Sequence, residues 1–261
     1  NITGASGADN IVAGAGNDTV SAGGGADTIE GGLGDDILNG GDGDDTLIEH
    51  IDGSIIFSAA GSTGSNGTDT IPGIERVQIN GGANADLIDA GVLSIPINAF
   101  GNGGADTIIG GGAVDNIDGG DDGDIIIGGQ SDDILMGGNG NDVLLGSGGK
   151  DDLIGGPGDD FLRGQGTSND TLRGGAGDDT LDGGVGNDIV RETSDADFVI
   201  TNSTMTGNGN DSLILSLIPV KVSSQKRFLS AFRLTSLVFS VIFPYKILKI
   251  VSILVSCLLT F

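Results

Sequence analysis

The chain of 261 residues contains one cysteine, one histidine, one tyrosine, five prolines and no tryptophan. The single Cys257 excludes an internal disulfide, so this is not a fold held together by oxidised bridges. His50 and Cys257 lie far apart in unlike surroundings, which leaves no nitrogen and sulfur set for a borderline metal such as zinc. We read His50 as a loop residue and Cys257 as a small hydrophobe. The sequence contains no HExxH zinc helix, no GxSxG nucleophile elbow and no P-loop. Its longest apolar runs, residues 234–243 and 250–261, fall short of the roughly 18–20 residues of a spanning helix. No basic segment precedes an apolar run near Asn1, so no N-terminal signal peptide is visible.

Basic residues are also scarce: eleven against 37 acids. All 37 acids lie at or before Asp211. Only five bases share that stretch, Arg76, Lys150, Arg163, Arg173 and Arg191, leaving a net charge of −32 there. Nucleic acid is an unsuitable partner for such a surface.

What is abundant is glycine, 51 residues, in a nine-residue phrase: Gly-Gly-x-Gly-x-Asp-x-aliphatic-x. Clear copies are 31–39 (GGLGDDILN), 137–145 (GGNGNDVLL), 155–163 (GGPGDDFLR) and 174–182 (GGAGDDTLD). A fixed period of this kind decides architecture before any single residue does. The sixth position falls on Asp9, Asp18, Asp27, Asp36 and Asp45, then Asp86, Asp106, Asp115, Asp124, Asp133, Asp142, Asp151, Asp160, Asp170, Asp179 and Asp188. Two residues after each stands an apolar anchor, from Ile11 to Val190.

One anchor per nine residues is too sparse for an amphipathic helix, and glycine disfavours helix interiors. A three-residue strand with its central side chain inward fits better. The six residues between strands then form a turn, where glycine supplies positive φ. Two repeats make one coil, and stacked coils pair their strands in parallel. The fold class predicted is all-β, a parallel β-roll or β-solenoid with two repeats per coil. Residues 101–191 hold ten repeats and so five coils, roughly 24 Å of stack. One buried aliphatic per repeat does not offset the ordering of nine residues of backbone. A stack of aspartates also repels itself unless cations sit between the carboxylates. Carboxylates and backbone carbonyls form an all-oxygen ligand set, which suits Ca²⁺ better than the stricter octahedron of Mg²⁺.

These copies resemble the RTX, or hemolysin-type, calcium-binding nonapeptide repeat. The resemblance is close over 4–48 and 101–191 and loose over 64–100. It implies a β-roll with several Ca²⁺ ions in its turns, held by the sixteen sixth-position aspartates and by carbonyls of the turn glycines. It also implies secretion, typically through a type I apparatus, and an extracellular location. The array has no catalytic residues of its own. Two alternatives stand beside that reading: the C-terminal fragment of a secreted protease, lipase or pore-former, and a calcium-stiffened adhesin or surface-layer protein that meets cell-surface polymers. Several copies depart from the phrase: Ala113, Asp122 and Ser131 replace its fourth glycine, Lys150 adjoins Asp151, and 164–173 has ten residues. These turns are expected to be weak or empty.

Five segments follow. Residues 1–48 and 101–191 are repeat blocks, and 49–100 are an irregular β-rich insert or wider rungs. Residues 192–211 are a degenerate cap. Residues 212–261 are a basic, apolar tail with no Gly, Asp or Glu. Three readings of the tail stay open: an out-of-frame or aberrant end, a membrane-associating segment or a divergent secretion signal. The start at Asn1, already in register and without Met, is expected of a fragment with upstream domains missing.

Overall fold

The structure is a computed structural model that describes residues 1–192, 199–200 and 212–215. The readings of the tail beyond Leu215, and most of the cap, lie outside the described residues. Every regular element described is a β-strand, and the strands form two sheets of thirteen and eleven strands. The chain alternates between the sheets, so one coil contributes one strand to each. Partners across a sheet lie two repeats apart: Ile126 pairs with Leu144, and Leu144 with Leu162. The ten-residue repeat is absorbed in its turn, so Leu153 still pairs with Leu172.

The anchors face inward, as the period requires. All but Val190 are buried, and Val190 packs against them partly covered. Four anchor-bearing strands, Leu87–Asp89, Thr107–Ile109, Phe161–Arg163 and Thr180–Asp182, have the three residues expected. Ten others, such as Ile134–Asn139, have six and run on into the first residues of the next repeat. The turn shrinks to three residues because pairing continues past the anchor: Gly120 faces Gly138 and Asp121 faces Asn139.

The glycines serve three different needs. At position 2 they supply left-handed backbone, as at Gly138 with φ 106°. At position 4, a Cβ on Gly140 would strike the backbone of Asp122 in the preceding coil, at 2.2 Å. At position 1 the cause is neither. Gly137 lies outside the left-handed region, but a Cβ there would sit 2.3 Å from Oδ2 of Asp142. The first glycine therefore makes room for a carboxylate.

The two repeat blocks form one continuous stack, because both sheets run unbroken through residues 49–100. Strand Arg76–Asn80 joins Thr46–His50 to Ile97–Gly103 in the smaller sheet. In the larger sheet, Ser54–Ser58, Gly61–Gly64 and Gly67–Thr70 run antiparallel to one another between Ile37–Asp42 and Leu87–Asp89. This meander is the exception to the parallel pairing expected. Here the core is two residues wide, with Ile55 and Phe57, Val77 and Ile79, and Ile97 and Ala99 all buried. The extra width lets the ladder change columns. Leu47 aligns with Val77 and Ile97, whereas Ile117 aligns with Ala99 and Ile79.

Gly137→Ala is expected to lower stability by about 1–3 kcal/mol, several degrees in Tm. Gly103→Ala, where a Cβ meets nothing within 4 Å, should stay within about 0.5 kcal/mol. Thermal melts of both in Ca²⁺ buffer test the difference, and equal shifts would refute the role given to the first glycine.

Candidate metal centre

The sixteen sixth-position aspartates stand in two columns, one along each edge of the stack. Asp9, Asp27, Asp45, Asp115, Asp133, Asp151, Asp170 and Asp188 precede strands of the smaller sheet. Asp18, Asp36, Asp86, Asp106, Asp124, Asp142, Asp160 and Asp179 precede strands of the larger. Asp9 and Asp18 at the end of the stack are part-exposed; the other fourteen are buried.

Along each column the backbone N–H of one aspartate donates to Oδ1 of the aspartate one coil on. Asp124 N–H donates to Asp142 at 2.8 Å, Asp142 to Asp160 at 2.9 Å, and Asp160 to Asp179 at 2.9 Å. A ladder of opposite polarity runs beside it at position 5. Lys150 N–H donates to Oδ1 of Asp132 at 2.8 Å, and Asp159 N–H to Asn141 at 2.9 Å.

The second carboxylate oxygen separates two kinds of turn. In thirteen turns the position-2 residue is left-handed: Gly14, Gly23, Gly32, Gly41, Asn102, Gly120, Gly129, Gly138, Ser147, Gly156, Gln165, Gly175 and Gly184. In ten of these the buried Oδ2 accepts no hydrogen bond, namely in Asp27, Asp36, Asp45, Asp106, Asp124, Asp133, Asp142, Asp151, Asp160 and Asp170. The other three turns are closed by their own backbone. Ala5 N–H donates to Oδ2 of Asp9 at 2.7 Å, Gly82 to Asp86 at 2.8 Å and Gly111 to Asp115 at 2.7 Å. None of Ala5, Gly82 and Gly111 is left-handed.

This division sorts the departures seen in the sequence. The turn with Ala113 is closed. Asp122 and Ser131 adopt the positive φ of the glycines they replace, at 74° and 82°, and their turns stay open. The ten-residue repeat stays open through Gln165, at φ 66°. Lys150 is exposed, and Oδ2 of Asp151 beside it has no hydrogen-bond partner.

Two acids outside the sixteen join the columns. Asp36 N–H donates to Oδ1 of Asp69, and Asp45 N–H to Oε2 of Glu75, both at 2.9 Å. Asp69 belongs to the degenerate copy 64–72. Glu75 stands two residues before the buried Val77, so the acid-x-aliphatic spacing would have found it had glutamate been allowed.

A buried carboxylate oxygen without a donor carries a large desolvation cost. Burial accordingly pushes several of these groups up: Asp124, Asp133, Asp160 and Asp170 to about 7 and Asp106 to about 6, with neighbouring carboxylates adding to it. Asp142 and Asp151 are raised by the same burial. The side-chain ion pairs, Arg76–Asp44, Arg163–Asp182 and Arg173–Asp152, fall outside the sixth position. Among the described residues no three Asp, Glu, His or Cys side chains converge as a cluster that could hold an ion. A cation in an open turn would therefore meet carboxylate oxygen together with backbone carbonyls. That donor set fits a hard ion with flexible geometry.

The family model for the RTX calcium-binding nonapeptide repeat matches residues 3–38, 21–48, 98–126, 127–162 and 166–199, together more than half of the chain. The chain belongs to this family. It is a calcium-binding repeat module, and the two-sheet stack is its β-roll. No curated protein matches the chain.

The raised aspartates fix the pH response of the calcium-free stack. Their folded values lie above the unfolded one, so the stability they contribute is present below about pH 4 and is lost as pH rises through 6–7. In chelator, the β-sheet circular dichroism signal should therefore grow as pH falls from 8 to 5. In Ca²⁺ the trend should reverse, because protons compete with the ion. A β-sheet signal in chelator that stays unchanged from pH 8 to 5 would contradict this.

Proposed function

We propose that this chain is a secreted, extracellular module that folds on binding several Ca²⁺ ions and is not itself catalytic. The observation that carries the proposal is the row of ten buried Oδ2 atoms without a hydrogen-bond donor, in a stretch of net charge −32. In calcium-poor cytosol the acidic, glycine-rich chain has too little core to order itself. Such a chain suits export in the unfolded state through a type I apparatus. At extracellular Ca²⁺ the ions neutralise the columns, and binding free energy becomes folding free energy.

The ions occupy the open turns, with side-chain oxygens of Asp18, Asp27, Asp36, Asp45, Asp106, Asp124, Asp133, Asp142, Asp151, Asp160, Asp170, Asp179 and Asp188 as ligands. The closed turns at Asp9, Asp86 and Asp115 use a backbone N–H where an ion would otherwise sit.

A Ca²⁺ titration followed by circular dichroism should show β-structure appear cooperatively and disappear in chelator. Signal that is independent of both would refute coupled folding. Equilibrium dialysis separates the turns: Asp142→Asn should lower the number of ions bound, whereas Asp115→Asn should leave it unchanged. The opposite order would show that the open and closed turns had been assigned the wrong way round.

A further inference from the structure

One turn of the stack has exchanged its glycine and its acid. Anchor Leu47 is followed by anchor Ile55 after eight residues instead of nine. Two residues beyond Leu47, where other repeats place the first glycine, stands Glu49. In the ladder position stands Gly53, whose N–H donates to Oδ1 of Asp86 as an aspartate's would. In a standard turn the first glycine makes room for the aspartate's Oδ2. Here no aspartate claims that room, and a carboxylate enters from the other end of the turn.

The consequence for Glu49 is unusual. It points into the core opposite Ile79 and is only 2% exposed. Its Oε1 has no hydrogen-bond partner. Its neighbours are acids: Asp69, Asp36 and Glu30 all act on it, and burial together with these charges pushes it up to about 8. Asn66 supplies the one compensating side-chain hydrogen bond. Glu49 also lines a cleft of about 180 Å³ with Glu30, His50, Asn66, Leu33 and backbone. No lysine or arginine lines it.

We propose that Glu49 is the acidic ligand of an additional Ca²⁺ site at turn 49–53, outside the nonapeptide register, which fastens the antiparallel meander to the stack. The proposal rests on the calcium reading above. As in the open turns, fewer than three side chains converge, so backbone carbonyls and water complete the shell. The site lies where the larger sheet needs it most. Strands Gly61–Gly64 and Gly67–Thr70 interrupt the aspartate column between Asp69 and Asp86, and Glu49 returns a carboxylate to that gap.

The test compares the full wild-type chain with Glu49→Gln and Glu49→Asp, using Ca²⁺ alone as the probe. Equilibrium dialysis at saturating Ca²⁺ should find one ion fewer on Glu49→Gln. Hydrogen exchange should show the calcium-dependent protection of residues 54–70 reduced by roughly tenfold or more, with residues 101–191 protected as in wild type. An unchanged ion count and unchanged protection would overturn the proposal and leave Glu49 a neutral, protonated core residue. A wild-type chain that binds no Ca²⁺ would instead refute the calcium reading itself. If Glu49→Gln does not fold in Ca²⁺, Glu49→Asp decides: one site weakened by roughly tenfold or more supports the proposal, and a wild-type titration overturns it.

Discussion

The stack depends on a carboxylate that does two things at once. Through Oδ1, each sixth-position aspartate accepts the backbone N–H of its counterpart one coil away, as between Asp124 and Asp142. This bond sets the register of the turns and satisfies a backbone donor that the sheets do not reach. Through Oδ2, the same group brings negative charge into a buried place. The geometry that builds the coil therefore also creates its electrostatic liability. Asparagine would separate the two, since it removes the charge and keeps an Oδ1 acceptor, as Asn141 does for the N–H of Asp159 in the neighbouring ladder.

The glycines follow from that carboxylate more than from turn chemistry. Position 1 is glycine because Oδ2 lies over it. Position 4 is glycine because the coils are one backbone apart there. Positions 2 and 4 both take left-handed backbone, as at Gly138 and Gly140, and position 2 also decides whether Oδ2 meets a local donor. In ten turns with a left-handed residue there, Oδ2 is left without a donor, as at Asp133; where that residue is not left-handed, the local N–H closes on it, as at Asp115. A change of one backbone angle thus decides whether the buried Oδ2 meets a donor, without changing the ladder.

Much of this was legible in the sequence, and the reason is the period. Spacing alone identified the anchors, the two-repeat coil and the ladder aspartates, since a nine-residue phrase must place equivalent residues at equivalent heights. What the period could not show was conformation within a turn. Gly111 and Gly120 are the same residue at the same position, but only Gly120 is left-handed. Ser131 and Asp122 look like defects yet adopt the glycine conformation. Asp69 was visible in the degenerate copy 64–72 but not as a member of the ladder, and Glu75 was hidden where the phrase has decayed; the role of both depends on long-range pairing with Asp36 and Asp45. Ten strands have six residues where three were expected, because pairing continues across coils past the anchor, as between Gly120 and Gly138, a gain in hydrogen bonding that no single repeat reveals.

The insert shows why a repeat stack can tolerate an irregularity of this size. Two additional strands enter the larger sheet only, and the smaller sheet passes the same region with one rung, Arg76–Asn80. The mismatch is taken up by a core two residues wide, where Ile79 and Ala99 begin one anchor column as Val77 and Ile97 end another. That shift leaves Glu49 at the foot of the new column, in a place where every later coil has an aliphatic side chain. A carboxyl group there is tolerable in its protonated form, which burial favours, or with a cation to meet its charge. The acids around it supply none, so its state follows whatever ion reaches that end of the turn.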